Sequence, residues 1–214
     1  GDVFAATDAA LYASLRFAGQ MASDCSGNGA LSVALSDPGA CAWLKVGANH
    51  HHRGGGNNAI DYDETAFGTG GGIRIPFAGN WYGGTAFAYE DVAQSNRNSN
   101  SKGFRLQGGG VLGYAFGATD VSASVSGGYG SYRFRRDTFE ANGTGLATAR
   151  PDLWWGGAHV MLAHEFALSE VFSIKPSMDV GATYTLQPSF NESGQGDTHL
   201  RVSEIENTVY SFNP

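Results

Sequence analysis

The chain is 214 residues long with a net charge of −7; it holds 32 glycines, and charged side chains make up 15% and aromatic ones 12%. The acidic balance argues against a nucleic-acid surface, which needs clustered Lys and Arg. The mean hydropathy is −0.22, and no run approaches the roughly 18 apolar residues that mark a membrane-crossing helix. Scarce charge with abundant glycine and aromatics fits a β-barrel with one lipid face and one wet face, though a glycine-rich soluble β-protein would share these totals.

The sequence starts at Gly1 without a methionine, a basic stretch or an apolar core, so no signal peptide is read; the expectation is an internal or C-terminal piece of a longer protein. Residues 2–24 read as a helix. Alanine dominates, Gly19 is the one glycine and proline is absent, and Phe4, Leu11, Leu15, Ala18 and Ala22 share a side. At about 1.5 Å per residue it spans on the order of 30 Å. So slim a helix either packs on a core or fits inside something narrow. Residues 27–39, with Asn28, Ser36, Asp37 and Pro38, read as a loop. Cys25 and Cys41 are the two cysteines; in a reducing compartment they stay thiols, in an oxidising one they form a bridge.

After Cys41 the period changes to two. In 172–186 the even positions, from Phe172 and Ile174 to Tyr184 and Leu186, are apolar, and the odd ones, from Ser173 and Lys175 to Thr185, are polar or small. The same logic covers 65–77, 104–117, 121–133 and 153–166, and more loosely 42–51, 81–92 and 198–212, eight strands in all. Most exceed the five or six residues typical of soluble strands, and a membrane-crossing strand needs about nine to eleven. The connections alternate. Those over 52–64, 93–102, 136–152 and 187–196 are long and polar, and those over 78–80, 117–120 and 168–171 are short. Outer-membrane barrels sort their loops this way, with tight turns on the periplasmic rim and long loops outside; a Greek-key sandwich has no reason to. Trp43, Trp81, Tyr82, Trp154 and Trp155, near strand starts, are the expected aromatic girdle.

No motif carries catalysis. His50, His51 and His52 cannot all share a face on a strand, and they read as polar strand-tip residues rather than metal ligands, although Asp61, Asp63 and Glu64 are near in sequence. His159 and His164 fall on opposite faces, and no serine is singled out to complete a hydrolase set. The glycine runs 70–72 and 108–110 lack the Lys-Ser/Thr of a phosphate loop; they read as places where another backbone, such as a helix in the pore, approaches closely. Arg133, Arg135 and Arg136 read as a solvated or phosphate-facing strand tip. Arg74, Arg105, His159, Lys175 and Asp179 fall on the wet face and are expected to line the lumen.

Taken in order, the Ala-rich segment ending in Arg16-Phe-Ala-Gly-Gln-Met-Ala-Ser-Asp-Cys25, then Gly39-Ala-Cys41-Ala-Trp43, Asp61-Tyr-Asp-Glu-Thr65, Ala78-Gly-Asn-Trp81, Gly127-Gly-Tyr-Gly-Ser-Tyr132, Pro151-Asp-Leu-Trp154, Ile174-Lys-Pro176-Ser-Met-Asp179 and Glu192-Ser-Gly-Gln-Gly196 resemble the autotransporter β-domain family. That resemblance implies an antiparallel up-and-down transmembrane β-barrel of twelve strands around a pore helix, of which about eight are present here. It assigns 1–25 to the pore-spanning or linker helix, 26–40 to a loop, and 41–214 to a partial barrel whose C-terminal strands are missing. A Cys25–Cys41 bridge on the periplasmic side follows from the same resemblance. So do a Gram-negative outer-membrane location, type V secretion of the chain's own N-terminal passenger, contact with outer-membrane lipid, and dependence on barrel-assembly machinery and periplasmic chaperones. No cofactor, metal, nucleic acid or substrate turnover is expected. Self-cleavage through an asparagine in the helix is not expected either, because 2–24 contains none. The alternatives are a small outer-membrane porin or barrel enzyme, favoured by a lumen free of helix, and a soluble β-barrel binding protein, favoured by apolar side chains sealed inside.

Overall fold

The computed structural model describes residues 6–17 (8 and 12 excepted), 31–34, 39–54, 61–96, 99–140, 143–169, 172–194 and 200–214. Helix α1 covers 6–17. The strands are β1 (Leu31–Ala34), β2 (Cys41–Arg53), β3 (Tyr62–Ala78), β4 (Trp81–Ser95), β5 (Ser99–Phe116), β6 (Thr119–Glu140), β7 (Gly143–Ala149), β8 (Asp152–His164), β9 (Phe166–Ser169), β10 (Phe172–Ile174), β11 (Ser177–Gln187), β12 (Phe190–Asn191), β13 (Ser193–Gly194), β14 (Arg201–Val202) and β15 (Ile205–Asn213).

One antiparallel sheet runs β1-β2-β3-β4-β5-β6-β8-β11-β15. Long strands follow one another by sequence, as an up-and-down barrel requires. Eight of them, β2 to β6 with β8, β11 and β15, correspond to the eight alternating segments of the sequence. Among the described residues no ladder joins β1 to β15, so the sheet is open along that seam. Two turns on one rim are tight: Gly79 and Gly117 both take positive φ, 56° and 59°, a conformation that costs glycine nothing.

The side-chain alternation is inverted relative to a soluble protein. Outward positions carry Val46, Phe67, Phe77, Phe87, Val125 and Phe212, each around 60% exposed. The opposite face is largely polar and buried, holding Glu64, Glu90, Gln94, Ser101, Arg105, Ser122, His159, Thr183 and Thr185. The apolar set is therefore not a sealed core, and the soluble-barrel alternative fails on this observation. Helix α1 covers the polar face. Its Ala6 and Ala10 join Ala66 of β3, Val92 of β4, Tyr132 of β6 and Leu153 and Trp155 of β8 in one buried cluster, while Phe17 packs with Cys41, Trp43 and Ala86. Four inter-strand steps separate β3 from β8, about 19 Å in a flat sheet, against a helix diameter of about 10–12 Å. The sheet curls around the helix.

Several expectations change. Leu31–Ala34, read as loop, pairs with β2 from Leu31↔Leu44 to Ala34↔Cys41. The segment 136–152, read as a long loop, is mostly hairpin: β6 runs on to Glu140 and β7 returns along it. Pro151, which has no N–H, separates β7 from β8, yet its carbonyl still accepts from the Tyr132 N–H at 3.1 Å. Pro176 likewise breaks 172–186. Only β11 joins the main sheet, and β10 pairs with β9 in a separate ribbon, so the third short connection is a hairpin rather than a simple turn. The helix is buried over more than a narrow stripe: Ala6, Thr7, Ala9, Ala10, Leu11, Ala13, Ser14 and Phe17 are all buried and span about 200° of its circumference at about 100° per residue, while Leu15 and Arg16 on the remainder are half-buried. Of the side proposed from sequence, Phe4, Ala18 and Ala22 lie outside the described residues.

Candidate functional site

The interior is built by parity. On β3 and β4 even residues point inward, and on β5 and β8 odd ones do. The register then brings Glu64, Glu90 and Arg105 together. Arg105, 1% exposed, donates from Nη2 to Glu64 Oε1 at 2.7 Å and from Nε to Glu90 Oε2 at 3.1 Å. Gln94 Nε2 donates to Glu64 Oε2 at 2.6 Å, and Ser101 Oγ donates to Gln94 Oε1 at 3.0 Å. Arg16 completes the set from the helix, its Nη2 lying 2.5 Å from Glu90 Oε1. Two cations thus meet two anions at the seam between plug and wall, each carboxylate held by more than one donor. That is the condition under which buried charge is tolerated.

Nearer the tight-turn rim, the Arg74 guanidinium lies over the Tyr82 ring at 3.5 Å and 3.7 Å from Asp120 Oδ2, and the Tyr82 hydroxyl donates to Asp120 Oδ1 at 2.6 Å. His159, 4% exposed, pairs through Nδ1 with Asp179 at 3.0 Å. Its Nε2 has no hydrogen-bond partner among the described residues. At the opposite rim Arg136 makes a two-pronged contact with Glu192, at 2.6 and 3.2 Å.

Of the five residues expected in the lumen, Arg74, Arg105, His159 and Asp179 lie on the inner face. Lys175 does not. It is exposed in the break between β10 and β11, because Pro176 ends the alternation that assigned its face. Glu64, Glu90, Gln94, Asp120 and Arg16 were missed. Parity puts Glu90 on the face of Tyr82 and Glu64 on the face of Ala66, but the polar composition of 52–64 reads as a connection, and a loop has no parity. Cys41 is disulfide-bonded; Cys25, its expected partner, lies outside the described residues.

The aromatics split the same way. Trp43, Tyr82 and Trp155 face inward and are at most 7% exposed, since neighbours on a strand point oppositely; only Trp81 and Trp154 of the proposed girdle face out. Those two anchor separate belts. One links Tyr89, Phe104, Tyr129 and Trp154 through ring contacts of 6.2, 6.0 and 4.6 Å, and the other joins Trp81, Tyr114 and Phe116 at 5.0 and 6.0 Å. Phe104 and Tyr114 are ten positions apart on β5. That is about 34 Å along the strand, foreshortened by a tilt near 40° to about 25 Å, the height of an outer-membrane apolar band. The inward rings of Trp43 and Trp155 rest on glycines of adjacent strands as well as in the clusters they share with the helix: a Cβ on Gly72 would meet the Trp43 ring at 2.9 Å, and one on Gly128 would overlap Trp155.

At the β2–β3 tip, His52 Nδ1 lies 2.9 Å and His50 Nε2 3.7 Å from Asp63, whereas His51 faces in against Tyr62. Among the described residues no group of three or more His, Cys, Asp or Glu is placed to hold a metal.

Residues 42–211 match the family described as Autotransporter beta-domain. The chain belongs to the autotransporter β-domain family. This autotransporter β-domain is similar to the translocator domain of the autotransporter NalP from Neisseria meningitidis, with a TM-score of 0.69 and 13% identity over 98% of this chain and 68% of that one. The β domain of the Bordetella autotransporter Brka matches with a TM-score of 0.36 at 11% identity, covering 81% of each chain. The ferric yersiniabactin uptake receptor FyuA from Yersinia pestis matches with 0.37 at 9% identity, over 81% of this chain and 31% of that one. No curated protein matches the sequence. As an autotransporter β-domain the chain is an outer-membrane translocator domain of a type V secretion system, located in the Gram-negative outer membrane, and its family implies an N-terminal passenger.

Proposed function

We propose that the autotransporter β-domain holds its passenger's linker, the helix assigned to 1–25, inside the barrel wall formed by 41–214, and so displays the passenger at the cell surface without turning over a substrate. The observation that carries this reading is the half-buried Arg16–Glu90 contact between helix and wall inside a sheet whose apolar face points outward. Arg74, Arg105, His159 and Asp179 act here as structural lumen residues that hold the plug in register. A Cys25–Cys41 bridge would fasten the helix exit to the first long strand; closing a loop of about 15 residues stabilises by roughly 3 kcal/mol in the chain-entropy model. Barrel-assembly machinery and periplasmic chaperones are the partners such a wall requires during insertion.

The test is surface display from the full-length protein. An epitope placed immediately before Gly1 should react with antibody on intact cells. Reaction only after the outer membrane is broken would overturn the proposal. The porin alternative is disfavoured by the helix in the interior.

A further inference from the structure

The sequence cluster Arg133, Arg135 and Arg136 is divided by the pleat. Arg136 turns inward to Glu192, while Arg133 and Arg135 point outward, on the same side as Tyr129. Register brings other cations to them. Lys102 of β5 sits directly opposite Arg133, and Asn100 opposite Arg135. Arg150, just beyond β7, borders the same surface, and these four cations line one cleft of about 1010 Å³.

The height of this cleft is set by the upper aromatic belt. Lys102 is one outward step above Phe104 on β5, about 7 Å along the strand. Arg133 faces it one step above Ser131, whose partner is Phe104. An aromatic belt marks the edge of the hydrocarbon, and the headgroup zone beyond it is roughly 5–8 Å deep on each side. Lys102 and Arg133 therefore stand at headgroup level, with Arg135 one outward step, about 7 Å along the strand, above them, on the outward-facing surface at the rim of long loops. In outer-membrane barrels that rim faces the outside.

These charges are also unspent. All four are exposed, and among the described residues none has an ion pair. The two carboxylates that line the cleft are already engaged: Asp91 accepts from the Tyr89 hydroxyl at 2.8 Å, and Asp63 pairs with His52. In a chain of net charge −7, a cluster of unpaired guanidinium and ammonium groups needs a reason. Guanidinium forks match phosphate oxygens in a two-pronged geometry.

We propose that Lys102, Arg133, Arg135 and Arg150 form a binding site for the phosphate groups of the phosphorylated lipid in the outer leaflet. The site rests on the outer-membrane reading above and adds to it a lipid class and a location. Binding involves the headgroup phosphates, while the acyl chains lie along the Phe104 and Leu106 surface beneath. It clamps the barrel at a fixed depth on its β5–β6–β8 side.

The test uses the full-length protein extracted from outer membranes and native mass spectrometry with three forms of lipid A, carrying two, one or no phosphates, with inorganic phosphate as a fourth probe. The wild-type protein should retain the two-phosphate form at least tenfold better than the form with none, and inorganic phosphate should not displace it at equal concentration. Lys102→Gln/Arg133→Gln/Arg135→Gln/Arg150→Gln should abolish the preference, whereas Arg201→Gln, elsewhere on the surface, should retain it. Equal retention of all three lipids by the wild type overturns the proposal without requiring any variant to fold. So does displacement by inorganic phosphate, or an unchanged preference in the quadruple variant. Absence of the protein from outer-membrane fractions would instead refute the reading on which the site rests.

Discussion

Arg105 is the residue on which the interior turns, because its guanidinium pairs with Glu64 and Glu90 at once. Removing one partner of a buried ion cluster leaves an uncompensated charge and costs about 3–5 kcal/mol. Arg105→Met should therefore lower the temperature at which the folded, heat-modifiable band disappears on a gel, and Arg105→Met/Glu64→Met should recover part of the loss. A double variant no better than the single one would show that charge pairing is not what holds this site. Gly128 tests packing instead. A Cβ there would lie 2.7 Å from the Leu106 carbonyl and within the Trp155 ring, so Gly128→Ala should destabilise by about 1–3 kcal/mol, read as an earlier midpoint in urea unfolding. Parity in the sequence already placed Arg105 on the inner face. Its partners were not legible, because a contact across β3, β4 and β5 depends on register, and register depends on where each turn closes.

At the scale of elements, α1 and the strands around it explain one another. Alanine at 6, 9, 10 and 13 keeps the helix thin enough for the space the curled sheet encloses, and a helix with no exposed residue among those described has no solvent face to mark with polar residues. Deleting residues 1–25 from the full-length protein should leave the wall foldable and raise single-channel conductance in a planar bilayer. Conductance unchanged by the deletion would mean that the helix is not what fills the lumen. Element boundaries were less legible than element identity. Pro151 and Pro176 interrupt segments whose alternation continues on either side, and the pattern alone does not say whether a proline is a bulge, a break or the start of a separate ribbon.

For the whole molecule, the decisive property is that its apolar side faces out. Val125, 64% exposed and about midway between the two aromatic belts, should be intolerant of charge. Val125→Arg is expected to cost about 2–4 kcal/mol in the bilayer, measured by urea titration of the protein folded into phosphatidylcholine vesicles. Ser124→Ala, its neighbour on the inner face, should change little. Equal tolerance at both positions would place neither face against lipid.

The chain's order of elements follows from local chemistry alone: an alanine-rich helix, then strands of period two joined by alternating short and long connections. Which strand face is apolar is likewise written in that alternation, and the family's segments occur in order along it. Only the tertiary structure decided how the charges pair, which aromatics reach the lipid, and that Arg133 and Arg136 serve opposite sides of one wall. The reason is geometric. Period and propensity act within one strand, whereas pairing, curvature and the fit of helix to lumen are properties of many strands together, and a one-residue slip in any ladder would exchange inside for outside.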